Sequence, residues 1–246
     1  MNILGVIPAR YHSTRLPGKP LMDILGKPML QRVYERVSSV NEFSDIVVAT
    51  DDHRIYDFCK QNNIHVEMTS SSHRTAANRL QELSDKCPAD FYIQLNGDEP
   101  LIDINAIRKS IPDFIPDDIE FGTNIITKIL DPAQVLDPSN IKMVFDDNMR
   151  CIYMSRSPIP FPFMEIDYSY YKHVGIIGYN KKMLDFYKNS KPGRFELIEG
   201  IDTLRFLDYG KILKLYEVDN CKTLSVDTQK DLEMVRKIFS QGFLSN

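Results

Sequence analysis

The chain has 246 residues, 43% of them hydrophobic and 26% charged, with a formal net charge of −4. That length buries a substantial core, as one large domain or one domain with an insertion. The acidic balance excludes a dedicated nucleic-acid binder, whose surface carries a basic surplus.

No apolar run reaches membrane-spanning length, residues 1–9 are too short and too early for a secretory signal, and Cys59, Cys87, Cys151 and Cys221 show no metal-ligand spacing. The expectation is a cytoplasmic protein with reduced thiols and no membrane partner.

The first predicted element is a strand over Ile3–Ile7. It runs into a loop carrying Arg10, Arg15 and Lys19 among Pro8, Pro17, Gly18 and Pro20. Arg forks and a Lys point charge suit phosphate oxygens, so the loop is expected to receive a nucleoside triphosphate. A solvated basic loop is the plain alternative, and the density of backbone-restricting residues argues against it.

A helix over Lys27–Val40 follows, then a strand Ile46–Thr50, a helix Arg54–Asn62, a short strand His65–Met68, a helix Arg79–Lys86 and a strand Phe91–Leu95. Strands separated by helices predict a parallel sheet with right-handed crossovers, and ligands of such sheets sit beyond the carboxyl ends of the strands. The opening loop, Thr50-Asp51-Asp52 and Asn96-Gly97-Asp98-Glu99 should therefore converge.

Phe121–Lys128, Ile141–Phe145, Cys151–Met154 and Val174–Tyr179 read as strands joined by loops, and Pro158, Pro160 and Pro162 keep Ser157–Phe163 extended and exposed. Together they predict an antiparallel extension for acceptor binding, dimerisation or both. A helix over Glu196–Tyr209, a strand Ile212–Glu217 and an amphipathic helix Gln229–Phe239 complete the chain. The expected fold is α/β, a Rossmann-like, mostly parallel sheet flanked by helices. It forms a single domain over 1–246 with an inserted subregion at roughly 121–180.

Two aspartates stand out. Asp98 follows strand Phe91–Leu95 after a tight Asn-Gly step, and Asp227 precedes the last helix. Hard oxygens at two strand ends suit a Mg²⁺ pair, while Asp227 in that position also fits a helix N-cap. His173 reads as either a packed residue or a functional one. Glu199, Asp202 and Arg205, at three-residue spacing, read as one solvated helix face. Arg156 is able to bind a carboxylate or pair with an acid. The hydroxyl-rich loop Thr69–Arg79 suits a base or ribose, and equally a helix cap. No Walker A sequence, dinucleotide fingerprint, His-Glu-x-x-His or nucleophile elbow is present, which narrows a phosphate site towards nucleotidyl transfer.

These residues resemble the 3-deoxy-manno-octulosonate (Kdo) cytidylyltransferase family, the CMP-Kdo synthetases, nearly end to end. The carriers are Ile7-Pro-Ala-Arg10 with Ser13-Thr-Arg-Leu-Pro-Gly-Lys-Pro-Leu21, Val48-Ala-Thr-Asp51, Gly97-Asp-Glu-Pro100, Ser155-Arg156, His173–Tyr179, Leu204-Arg205 and Val226-Asp-Thr228. The resemblance implies CTP, Mg²⁺, a homodimer, an acidic sugar acceptor and a place in lipopolysaccharide synthesis. It implies Arg10, Lys19 and Asp98 as catalytic residues and Asp98 and Asp227 on the metal. Pro8, Ala9, Arg10, Arg15, Lys19, Thr69, His73, Arg74, Thr75, Arg79 and Gly97 would meet the nucleotide, and Asn96, Arg156, His173, Tyr179, Asp202 and Thr203 the acceptor.

The chain departs from the family pattern at His73-Arg-Thr-Ala-Ala-Asn-Arg79, where a Ser-Gly-Thr-acid run is usual, at Asn96 in place of Gln, and at Asp202-Thr203 in place of Glu-Gln. Transfer from CTP is thus expected to Kdo or to a different acid, such as an amino-Kdo, another 2-keto sugar acid, a phosphonate or a carboxylate. The remaining alternatives are a nucleotidyltransferase that prefers another nucleotide, through the altered loop at Thr75–Asn78, and a nucleotide-binding protein without turnover.

Overall fold

The structure is a computed structural model that describes residues 1–12, 15–164, 167–221 and 224–242. Ser13 and Thr14 of the opening motif lie outside the described residues. The chain forms two compact units, Met1–Ile104 with Lys222–Asn246, and Asn105–Cys221. The subregion expected at 121–180 falls inside the second.

In the first unit, β1 (Ile3–Ala9) leads through the cationic loop and a 3₁₀ turn at Lys19–Leu21 to a small ribbon, β2 (Asp23–Ile24) and β3 (Lys27–Pro28). There follow α1 (Met29–Val37), β4 (Asp45–Thr50), α2 (His53–Gln61), β5 (Val66–Met68), α3 (Ala76–Lys86) and β6 (Phe91–Leu95). The strands lie side by side as β6-β1-β4-β5. The three pairings are parallel, with Leu4 opposite Asp45, Ile3 opposite Phe91 and Val48 opposite Val66. Every residue of β6 and nearly every residue of β1 is buried, as a parallel sheet covered on both faces requires. From β1 the chain moves outward to β4 and β5, then returns to the other side of β1 as β6. This reversal opens a crevice at the carboxyl ends of β1 and β6.

The second unit begins at α4 (Ile104–Ser110) and continues with β7 (Phe121–Lys128), α5 (Pro132–Leu136), β8 (Lys142–Phe145), β9 (Cys151–Ser155), β10 (Tyr171–Asn180), α6 (Lys181–Asn189), α7 (Arg194–Glu199), α8 (Leu204–Asp208) and β11 (Ile212–Glu217). β7 pairs antiparallel with β10 and parallel with β11, and β8 pairs antiparallel with both β9 and β10. The antiparallel extension expected from sequence is present here. The expected helix Glu196–Tyr209 is two helices, because Gly200 takes φ 65° and closes α7 in a left-handed cap. Glu199, Asp202 and Arg205 therefore do not form one solvated face, and Arg205 is buried. The chain closes the first unit with α9 (Gln229–Ser240), whose Leu232 and Val235 pack with Leu16, Ile24, Met29, Leu101 and Val226. Leu16 is thereby an apolar anchor within the cationic loop.

Candidate active site

At the crevice lies a cavity of about 620 Å³, lined from the β1 end by Pro8, Ala9 and Arg10, from the loop by Arg15 and Lys19, and from the β6 end by Asn96, Gly97 and Asp98. Thr75 with Ala76 and Arg79 of α3, His12 and Pro20 of the loop, and Ser225 and Asp227 before α9 complete it. The β1 and β6 ends approach closely at Gly97, where a Cβ would stand 3.0 Å from the Pro8 carbonyl oxygen and 3.3 Å from Ile7. Only glycine fits there without displacing β1.

The charged groups converge on one ammonium. Lys19 Nζ donates to Asp98 Oδ2 at 2.6 Å and to Asp227 Oδ1 at 3.1 Å, and Arg15 Nη2 lies 3.0 Å from the same Asp227 oxygen. A main-chain bond from Val226 N–H to Asp98 C=O (2.9 Å) ties the two acidic segments together. Asp227 does not cap α9. Thr228 does, through a capping box in which its Oγ1 accepts from Asp231 N–H while Asp231 Oδ2 accepts from Thr228 N–H. The Asp227 carboxylate is left for the cavity. Two carboxylates already gathered on one cation are a donor set that fits a hard divalent ion.

Glu99, which sequence reasoning passed over, is 3% exposed and lies under this cluster. Its Oε1 accepts from Asn96 Nδ2 (2.9 Å) and Ser225 Oγ (3.3 Å), while its Oε2 has no hydrogen-bond partner. Burial, then the charge of Asp98, pushes its carboxyl up to about 7. The only sequence signal was a second acid beside Asp98.

The loop before α3 divides. Thr75 lines the cavity and also caps α3, its Oγ1 accepting from Asn78 N–H (3.2 Å). Arg79 is 1% exposed and is held by Asp51 Oδ2 (2.8 Å) and Thr69 Oγ1, so its charge is already balanced inside the scaffold. Thr69 and His73 face this framework, with Thr69 Oγ1 donating to Thr50 C=O (3.0 Å) and His73 Nε2 2.6 Å from Glu82 Oε2. Arg74 is exposed and is not among the residues lining the cavity.

Burial alone would raise the Glu82 carboxyl, but hydrogen bonds from Lys86, Ser70 N–H and His73 outweigh it and bring it from 4.5 to about 2. A lowered folded value means stability that is whole above 4.5 and lost as pH falls towards 2. Glu82→Gln should therefore flatten the fall of Tm across that window, and a Tm–pH profile parallel to wild type would contradict this bond network.

In the second unit, His173 Nδ1 is 2.7 Å from Asn124 Oδ1, while Asn124 Nδ2 donates to the Val174 and Ile176 carbonyls at 2.9 and 3.0 Å. Those carbonyls flank the irregularity in β10 between Val174 and Ile177, so Asn124 both fills the bulge and orients the imidazole. Packing around the ring lowers His173 to about 4, although part of its surface still meets solvent. The neutral ring donates from Nδ1 and keeps an Nε2 lone pair. Arg156 is engaged by main-chain carbonyls, Nε with Glu199 and Nη1 with Pro138, both at 2.9 Å. Tyr179 is fully buried with its hydroxyl unpaired. Asp202 is half-buried with its carboxyl raised by burial and then by the charge of Glu196. Thr203 is buried, its Oγ1 3.2 Å from Met154 Sδ.

Residues 4–217 match the family model described as Cytidylyltransferase. The chain belongs to the cytidylyltransferase family. This cytidylyltransferase is 38% identical over 245 residues to the 3-deoxy-manno-octulosonate cytidylyltransferase of Solibacter usitatus (strain Ellin6076), covering 99% of this chain and 96% of that one. It is also 38% identical over 239 residues to the 8-amino-3,8-dideoxy-manno-octulosonate cytidylyltransferase of Shewanella halifaxensis (strain HAW-EB4), covering 95% and 97%. A solved CMP:2-keto-3-deoxy-manno-octonic acid synthetase complexed with CTP superposes with a TM-score of 0.91 at 37% identity, over 98% of this chain and 99% of that one.

Proposed function

We propose that this cytidylyltransferase transfers CMP from CTP to 3-deoxy-manno-octulosonate and releases pyrophosphate. The observation that carries the reading is the meeting of Lys19, Arg15, Asp98 and Asp227 at the β1–β6 crevice, in a chain so similar to relatives named for that reaction. A cytoplasmic location belongs to this reading, since that compartment supplies CTP.

Arg10, Arg15 and Lys19 hold the triphosphate and disperse the charge that grows on departing pyrophosphate. Asp98 and Asp227 would hold Mg²⁺, which when bound would neutralise phosphate charge and lower the pKa of the acceptor hydroxyl. The acceptor oxygen attacks the α-phosphorus, the bond from that phosphorus to the β-phosphate oxygen breaks, and the hydroxyl proton leaves to solvent. No enzyme nucleophile is required, so positioning and electrostatics supply the acceleration. Thr75 and the start of α3 face the nucleotide, and Asn96 faces the acceptor. His173 takes part in acceptor recognition through its Nε2 lone pair. A homodimer through the middle segment belongs to the same reading, since Phe161, Phe163 and Met164 are 82%, 80% and 88% exposed.

A second acceptor, 8-amino-3,8-dideoxy-manno-octulosonate, is favoured by the equal 38% identity to an enzyme named for it. The test is pyrophosphate release with CTP, Mg²⁺ and each acid in parallel. At least a tenfold higher kcat/KM with Kdo is expected. The reverse preference would install the amino sugar, and no pyrophosphate with either acid would remove the reading.

A further inference from the structure

At the opposite end of the parallel sheet from the cavity, where β4 begins, a second cluster has no part in nucleotidyl transfer. His65, Glu67 and Cys87 bring Nε2 or Nδ1, a carboxylate oxygen and Sγ within 4.8 Å of one another. His65 and Glu67 are two residues apart on extended chain entering β5, so their side chains leave the same face. Cys87 is the C-cap of α3 and arrives from a different element. Asp45 Oδ2 lies 2.6 Å from His65 Nδ1, leaving Nε2 to face Glu67 Oε1 at 3.8 Å.

We propose that His65 Nε2, Glu67 and the Cys87 thiolate form a binding site for a borderline-soft divalent metal ion, Zn²⁺ foremost, with Asp45 as the positioning residue behind the histidine. The donor set is mixed N, O and S, which selects zinc-like ions over Mg²⁺. Ligand atoms around a tetrahedral Zn²⁺ lie about 3–4 Å apart, so the three groups need only small side-chain rotations. A carboxylate on the far nitrogen is the usual support of a metal-bound histidine, fixing tautomer and ring orientation. Among the described residues His65 is the one basic side chain in ion-pair range of Asp45 or Glu67. Burial, followed by the charges of Glu67 and Asp45, raises the Cys87 thiol. A bound ion would reverse that field and would fasten the edge strand β5 to the end of α3.

The test is Co²⁺ titration of the chelator-treated full chain, reading the thiolate-to-cobalt charge-transfer band. Because the Asp98–Asp227 pair offers only oxygens, Co²⁺ there gives no such band. One equivalent of band-producing Co²⁺, displaced by Zn²⁺, is expected. Cys87→Ser should abolish the band, Asp45→Asn should weaken Co²⁺ affinity about 10–100-fold, and Zn²⁺ should raise Tm in wild type but not in Cys87→Ser. Absence of a band in folded wild type, or a band that survives Cys87→Ser, would overturn the site. Should Cys87→Ser fail to fold, His65→Gln serves instead, and undiminished affinity in it would overturn the site equally.

Discussion

Asp98→Asn is expected to lower kcat by about a thousandfold or more while leaving the fold in place. Three decades of rate correspond to about 4 kcal/mol of transition-state stabilisation, a reasonable size for losing one anionic ligand of the proposed charge-neutralising ion. The substitution keeps shape and hydrogen-bonding reach, so the amide oxygen can still accept from Lys19. The main-chain bond from Val226 to Asp98 does not involve the side chain and survives. Steady-state pyrophosphate release at saturating CTP and Mg²⁺, together with Tm, separates the two effects. Turnover within tenfold of wild type would remove Asp98 from the transfer chemistry, and a large fall in Tm would recast it as structural.

Glu196→Ala is expected to cost about 3–5 kcal/mol of unfolding free energy, the usual loss when one partner of a buried ion pair is removed. Arg205 donates to both Glu196 oxygens, from Nε at 2.7 Å and Nη2 at 2.6 Å, and Glu196 Oε2 also accepts from Gly193 N–H at 2.9 Å. The Arg205 guanidinium stacks 3.8 Å above the Tyr187 ring, and its Nη1 donates to Tyr187 C=O at 3.0 Å. Deleting the carboxylate leaves that buried cation with stacking, carbonyl contacts and the more distant Asp202. Urea unfolding of wild type, Glu196→Ala and the double variant Glu196→Leu/Arg205→Met provides the check. The double variant should recover much of the loss, because it leaves no uncompensated charge. A single-variant loss below about 1 kcal/mol would contradict the arrangement.

The parallel half of the fold was legible because each strand is a short apolar run closed by a turn, and because the helices between them show an apolar stripe. The cationic loop was legible for a related reason, since Pro fixes φ locally and Gly18 supplies the left-handed φ of 71° that other residues avoid. Features decided by distant partners were not readable. Asp227 and Thr228 are both good N-cap residues, and only the capping box with Asp231 shows which one caps. Gly200 within an otherwise helical run was read through, yet its left-handed φ ends α7 and turns an apparent solvated face into a buried Glu196–Arg205 pair. The resemblance puts Arg79 at the nucleotide, and nothing local shows that Asp51, 28 residues earlier, pairs with its guanidinium. Nothing local to Asn124 announces that it orients His173, 49 residues later.

Lys19 and Asp227 meet across 208 residues of chain. A ribosome delivers Asp227 long after Lys19, so a product stopped between the two would own the loop cations without the acid they meet. On the proposed reading, competence for catalysis arrives with Asp227, and a chain cut short before it would be inert instead of partly active.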